Sequence, residues 1–192
     1  IMDKRARIIF AAMEVFREKG LEKAKVSDIV KKAGIAQGTF YLYFPSRLSV
    51  MPYIAQKMVG ESVDALKDRV KAKASLEDQL DQIVEVMFQQ ARAYRDIFPF
   101  IYSGMQETNQ LKDWEEIYLP FYEWMSDFLK EQQRAGRVRE NLDSQRTAKL
   151  LIALVETTAE QNYWYDSPKE SAIEAQKEEL MDFIYYALGV KK

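Results

Sequence analysis

The chain has 192 residues, no cysteine and no histidine, and its 30 acidic and 28 basic residues leave a net charge of −2. Without thiols or imidazoles, a disulfide framework, a thiolate or imidazole metal site and a histidine-based catalytic triad are excluded, and no cofactor is expected. No run of about 18 apolar residues and no basic-then-apolar leader is read, so a cytoplasmic chain is expected, long enough for one compact domain or two small ones sharing a helix.

Taken in chain order, every segment reads as helix. The first is expected over residues 3–19, with Ile9, Ala12, Met13 and Phe16 on one face and Gly20 as its stop. Residues 26–47, VSDIVKKAGIAQGTFYLYFPSR, then read as two short helices, about 26–33 and 37–43, joined by a glycine turn. That is the layout of a helix-turn-helix DNA reader. Ile29, Val30 and Ala33 recur at helical spacing and bury one face of the first helix, Gly34 permits a left-handed turn, and Ile35 plugs the angle between the two. In the second helix Phe40 and Phe44 are four apart and point inward, which leaves Gln37, Thr39, Tyr41, Leu42 and Tyr43 outward. A solvated helix would carry Lys and Glu there. Tyrosines, a threonine and a glutamine suit hydrogen bonds to phosphate oxygens and base edges instead.

Charge is distributed to match. Residues 1–50 hold ten cations (Lys4, Arg5, Arg7, Arg17, Lys19, Lys23, Lys25, Lys31, Lys32, Arg47) against five acids (Asp3, Glu14, Glu18, Glu22, Asp28), a balance of +5 that leaves −7 on the rest. The footprint for a polyanion therefore falls on the N-terminal part.

The stretch AGIAQGTFYLYFPSR resembles the alanine-glycine-valine, glycine-threonine-leucine-tyrosine, tyrosine-phenylalanine signature of TetR-type transcriptional regulators, and the likeness covers roughly the first 50 residues. It implies an all-α fold of about nine helices: a three-helix helix-turn-helix DNA-binding domain over residues 1–46, and a helical ligand-binding and dimerisation domain over 47–192. By the same resemblance Gln37, Gly38, Thr39, Tyr41 and Leu42 stand where the family contacts bases and nearby backbone, and Tyr43 and Arg47 where it clamps phosphates. One position departs from the pattern. The family commonly has Thr before the first reading helix, where this chain has Lys25, with Ser27 two residues on. Capping by Ser27 and phosphate contact by Lys25 would divide that work.

Downstream, Ser46 is expected to cap a long fourth helix reaching about residue 73, bent by Pro52 in its early turns. Joining the reader to the domain beyond, it is the expected lever. Helices over about 75–95, 97–108, 113–135, 143–165 and 169–188 follow, punctuated by Ser75, Pro99, Gly104, Gly136 and the Ser167-Pro168 step.

Nine aromatics crowd residues 94–125: Tyr94, Phe98, Phe100, Tyr102, Trp114, Tyr118, Phe121, Tyr122 and Trp124. Rings at helical spacing usually fill a core, yet rings mixed with Met and tyrosine hydroxyls tend to line cavities for apolar ligands with a few polar anchors. A small apolar effector is expected against Phe98, Ile101, Tyr102, Met105, Trp114, Tyr118, Phe121 and Tyr122, with Met58, Met87 and Phe88 joining the wall. The family resemblance likewise implies an effector pocket in the C-terminal helices.

The last two helices are apolar nearly all round, too broad for one buried face. Ile152, Val155, Ala159, Ile173, Leu180 and Ile184 are the expected homodimer contacts, in a four-helix arrangement of the kind the resemblance implies. The alternative is that they close the chain's own core.

Together these features describe a ligand-responsive transcriptional repressor that binds a pseudo-palindromic double-stranded operator as a homodimer. Rival readings are a helical-bundle enzyme using carboxylates alone, with Glu107, Glu115 or Glu156, or a regulator of the same fold acting as activator or adaptor. Di-metal bundles built on Glu-x-x-His pairs are ruled out by the missing histidine.

Overall fold

The computed structural model describes residues 3–164 and 169–190, which form nine α-helices, two one-turn 3-10 segments and no strand. The helices are α1 (Lys4–Lys23), α2 (Val26–Ala33), α3 (Gln37–Tyr43), α4 (Met51–Arg69), α5 (Leu76–Tyr94), α6 (Phe98–Glu107), α7 (Trp114–Arg134), α8 (Ser144–Trp164) and α9 (Glu170–Leu188). The expected break at Ser167 and Pro168 lies outside the described residues.

Two helices differ from expectation for local reasons. Gly20 does interrupt α1, at φ 74° and ψ 169°, but helical geometry resumes for one short turn to Lys23. α4 begins five residues later than Ser46, because Ser46 and Ser49 cap a 3-10 turn reciprocally: the Ser49 amide donates to Ser46 Oγ at 3.2 Å and the Ser46 amide to Ser49 Oγ at 3.1 Å. Pro52 is thereby the second residue of α4. A helix start leaves that amide position without an intrahelical acceptor, so the expected bend has no cause.

The chain packs as two compact units, Ile1–Met58 with Asp96–Ile117, and Val59–Arg95 with Tyr118–Lys192. In the first, α1 packs on α2 and α6 around Ile8, Ala12, Phe16, Ile29, Phe40 and Phe44. α6 thus belongs with the reader helices, and Arg17 pairs with Asp96 just before it at 3.2 Å. Gly104 of α6 is required by proximity, since a Cβ there would stand 2.6 Å from Met51 Cγ. In the second unit α5 runs along α8, and α9 packs on both, around Leu80, Ile83, Met87, Val155 and Ile184.

Candidate functional site

The α2–α3 pair is built as a reader. Its N-terminus is capped by the Lys25 backbone amide donating to Asp28 Oδ2 at 3.0 Å. Lys19 Nζ donates to the other oxygen of Asp28 at 2.6 Å, and that hydrogen bond, with the backbone one, holds the carboxyl below its usual pKa. Ser27 is the second residue of α2 and not its cap, a correction to the expected division of labour. α2 ends at Gly34, left-handed at φ 63° and ψ 44°, with the Ile35 amide returning to the Val30 carbonyl at 3.1 Å. This turn aims α3. Phe40 and Phe44 are buried, as their spacing requires, and Phe44 meets Tyr53 edge to face at 5.4 Å, with the Arg5 guanidinium 4.1 Å from the Tyr53 ring centre. Gln37, Gly38, Tyr41 and Tyr43 are exposed, Thr39 is half-buried, and Leu42 keeps 83% of its surface open. An apolar side chain so exposed costs nothing structural to remove, and it suits contact with a thymine methyl.

Many cations of this region have protein partners. Lys32 pairs with Glu18 and, at 3.4 Å, with Glu14. Arg7 donates to the carbonyls of Ala33 and Gly34, and Arg47, expected on a phosphate, is half-buried with Nη1 donating to the Leu21 carbonyl. Among the described residues the side chains of Lys23, Lys25 and Lys31 make no hydrogen bond or ion pair, and all three are exposed. Lys23 and Lys25 line an open groove of about 640 Å³ with Glu18, Lys19 and Asp28. Sequence reasoning counted all ten cations alike, because pairing with a backbone carbonyl leaves no mark in composition.

The eleven residues expected around an effector divide between the two units. In the first, Met58, Ile101 and Met105 are buried, and half-buried Phe98 sits edge to face on half-buried Trp114 at 6.0 Å. Tyr102 is 49% exposed: one residue beyond Ile101 turns about 100° around α6, away from the buried face. In the second unit Met87, Phe88, Tyr118 and Phe121 are buried and Tyr122 half-buried. Tyr118 stacks on Phe121 at 6.4 Å and leans on Tyr122 at 5.8 Å, while Lys149 Nζ lies 4.9 Å from the Tyr122 ring centre.

This second aromatic group carries a polar end that the sequence only hinted at. The Tyr118 hydroxyl donates to Glu156 Oε1 at 3.1 Å. Burial, reinforced by Glu160 one turn along α8 and only partly offset by the tyrosine, pushes the Glu156 carboxyl up to about 8. Burial alone pushes Glu160 up to about 7. Tyr118 is raised as well, by its own burial and then by Glu156. Glu160 was not among the candidates, although Glu156 and Glu160 four apart inside LLIALVETTAEQNYW put two acids on one face of an apolar helix. Neither carboxylate has a salt-bridged cation among the described residues.

The six residues expected at the dimer interface lie on the inward side of α8 and α9. Ile152, Val155, Ala159, Ile173, Leu180 and Ile184 are all buried within the single chain, so they close its own core. Among the described residues the large apolar side chains that α8 and α9 leave open are Leu150 at 69%, Phe183 at 61% and Tyr186 at 82% exposure.

Comparison with known proteins adds the context for these sites. Residues 8–51 match the family model of bacterial regulatory proteins, tetR family, and residues 80–188 match that of the tetracyclin repressor-like C-terminal domain. The HTH-type transcriptional regulator YvdT of Bacillus subtilis is 37% identical over 186 residues, 97% of this chain and 95% of the relative. The fatty acid metabolism regulator protein of the same bacterium is 25% identical over 157 residues, 81% of each chain. The crystal structure of a transcriptional regulator FadR from Bacillus subtilis in complex with stearoyl-CoA has the same fold, with a TM-score of 0.74 at 21% identity over 92% of this chain and 95% of that one.

Proposed function

This chain belongs to the tetR family of bacterial regulatory proteins, and from that premise we propose that it represses transcription by binding a pseudo-palindromic operator as a homodimer that a small, largely apolar effector releases. It is a DNA-binding regulator and not an enzyme, so the carboxylates need no catalytic role. The observation that carries the reading is the outer face of α3. Gln37, Gly38, Thr39, Tyr41 and Leu42 stand over base edges, while Lys25, Ser27 and Tyr43 hold flanking phosphates. Residues 1–46 thus read DNA, and 47–192 carry the effector and dimer contacts.

Two copies meet through the open faces of α8 and α9, around Leu150, Phe183 and Tyr186. Each copy then contributes one recognition helix to a half-site of the operator. The effector is held by the aromatic group of α7 with Met87 and Phe88, and anchored by the Tyr118 hydroxyl and the Glu156 carboxyl. An acyl chain is the apolar class that the fatty acid regulator and the stearoyl-CoA complex suggest. Glu156 and Glu160 favour a second reading, an effector whose apolar body ends in an amine, because a bound cation would neutralise two acids that have no salt-bridged cation among the described residues. Coupling of about 1–3 kcal/mol between effector and operator is enough for release. Footprinting of the upstream DNA, repeated with stearoyl-CoA, stearate and an alkylamine of equal length, tests both readings. Release by an acyl-CoA or the amine identifies the class, and release only by a sugar rejects an apolar effector.

A further inference from the structure

The recognition helix is bordered by two loops, and each is tied to α1 by an arginine. Ahead of α3, the Arg7 guanidinium reaches across 26 residues to the Ala33 carbonyl at 2.5 Å and lies 3.4 Å from that of Gly34. Those oxygens belong to the end of α2. The last carbonyls of a helix have no intrahelical partner, and the turn's own amides engage Val30 and Lys31 instead. Behind α3, Arg47 reaches back 26 residues to the Leu21 carbonyl, past the Gly20 break in α1. Arg7 and Leu21 are fourteen positions apart, about 20 Å at the rise of a helix. α3 is therefore held at both borders by points near opposite ends of one helix.

We propose that Arg7 and Arg47 are positioning residues of the DNA reader, two guanidinium straps that fix the pose of α3 on α1, and that neither contributes a phosphate contact. A planar fork with several fixed donors holds a carbonyl in one orientation while staying charged and half-buried. A guanidinium held on protein carbonyls is withdrawn from direct phosphate contact, so its share of counterion release is small. The salt-sensitive contacts are then left to side chains that the fold leaves open, Lys23, Lys25 and Lys31. The turn itself is adapted to the strap: a Cβ at Gly34 would come within 3.2 Å of Arg7 Nη2.

The test uses the full chain, a mixed-sequence duplex and the tightest duplex selected from a randomised pool. Arg7→Gln and Arg47→Gln are expected to weaken the selected duplex about tenfold or more, while mixed-sequence affinity and the slope of log K against log salt stay unchanged. Lys25→Gln, by contrast, should weaken both duplexes and lower the slope by about one. Arg7→Lys and Arg47→Lys keep the charge and lose the fork, so each should fall between wild type and Gln on the selected duplex alone. Should a Gln variant fold poorly, amide exchange in the Lys variants decides: faster exchange confined to α3 and its borders supports the straps. A slope reduced by about one in Arg47→Gln, with equal loss on both duplexes, overturns the proposal in favour of a phosphate contact. So does an unchanged preference between duplexes in both Gln variants. Failure of wild type to prefer any selected duplex would instead sink the operator reading itself.

Discussion

The recognition helix and the α8–α9 pair make opposite use of apolar residues. In α3 and at its C-cap, Phe40 and Phe44 are buried four apart while the rest is exposed or, at Thr39, half-buried, so the segment declares its faces. In α8 apolar residues run round the whole girth, and the stripe that looked like an interface is core, with Leu150 left outside. An amphipathic pattern identifies its buried face without knowledge of neighbours, whereas a two-faced apolar helix must be told which neighbour comes from its own chain. Charge repeats the contrast. Several N-terminal cations are paired at the surface, where pairing is cheap, while two acids of α8 sit half-buried with no salt-bridged cation among the described residues.

Five experiments break or sharpen this comparison. The largest effect belongs to Val155→Glu: an unpaired carboxylate on the core side of α8 should unfold the second unit, and a cooperative melt retained near the wild-type temperature would restore Val155 to the interface. Next is Phe40→Ala, which empties a fully buried site in the reader and should cost about 3–5 kcal/mol. Hydrogen exchange should then open α1–α3 and spare α5 and α8. Phe183→Glu with Tyr186→Glu, on the open face of α9, should keep helicity by circular dichroism but yield monomers in sedimentation. Operator affinity should drop about a hundredfold with the loss of bivalency.

The pH dependence follows in size. Glu156 and Glu160 are raised to about 8 and about 7 from 4.5, so both hold protons more tightly folded than unfolded. Their contribution to stability is full below about pH 4.5 and is lost as pH rises through 7 and 8. Denaturant midpoints should accordingly decline from pH 5 toward pH 8.5, and Glu156→Gln should flatten that decline; a wild-type curve flat over the interval would mean that solvent reaches both groups. The smallest change is expected from Lys177→Met, which removes pairs to Glu85 at 2.7 Å and Glu174 at 3.0 Å. With both carboxylates about half open to water the pairs contribute about 0.2–1 kcal/mol, and Met offers the Phe88 ring a thioether where Lys177 Nζ lies 5.2 Å from its centre, so chemical melts should shift only slightly.

Much of the fold was legible because helix limits are written locally. Gly34, Ser75, Gly136 and Gly189 stop or start helices through their own backbone or side-chain chemistry, and α2 and α3 fall at 26–33 and 37–43 as expected. The reader's polar outer face was legible for the same reason. The start of α4 was not, since Ser46 caps equally well a 3-10 turn, and only the Ser49 hydroxyl returning to it made that choice.

By itself, then, the sequence determined the all-helical class, the glycine turn, the buried phenylalanines of α3 and the basic N-terminal balance, because each depends on spacing or composition within a few residues. Only the tertiary structure decided that Arg47 lies against the Leu21 carbonyl, that Tyr102 faces solvent, that Glu156 meets Tyr118 and that Val155 is core and Phe183 is not. Those outcomes turn on partners tens of residues away, and burial and pairing are properties of the surroundings a fold creates and not of the residue that enters them.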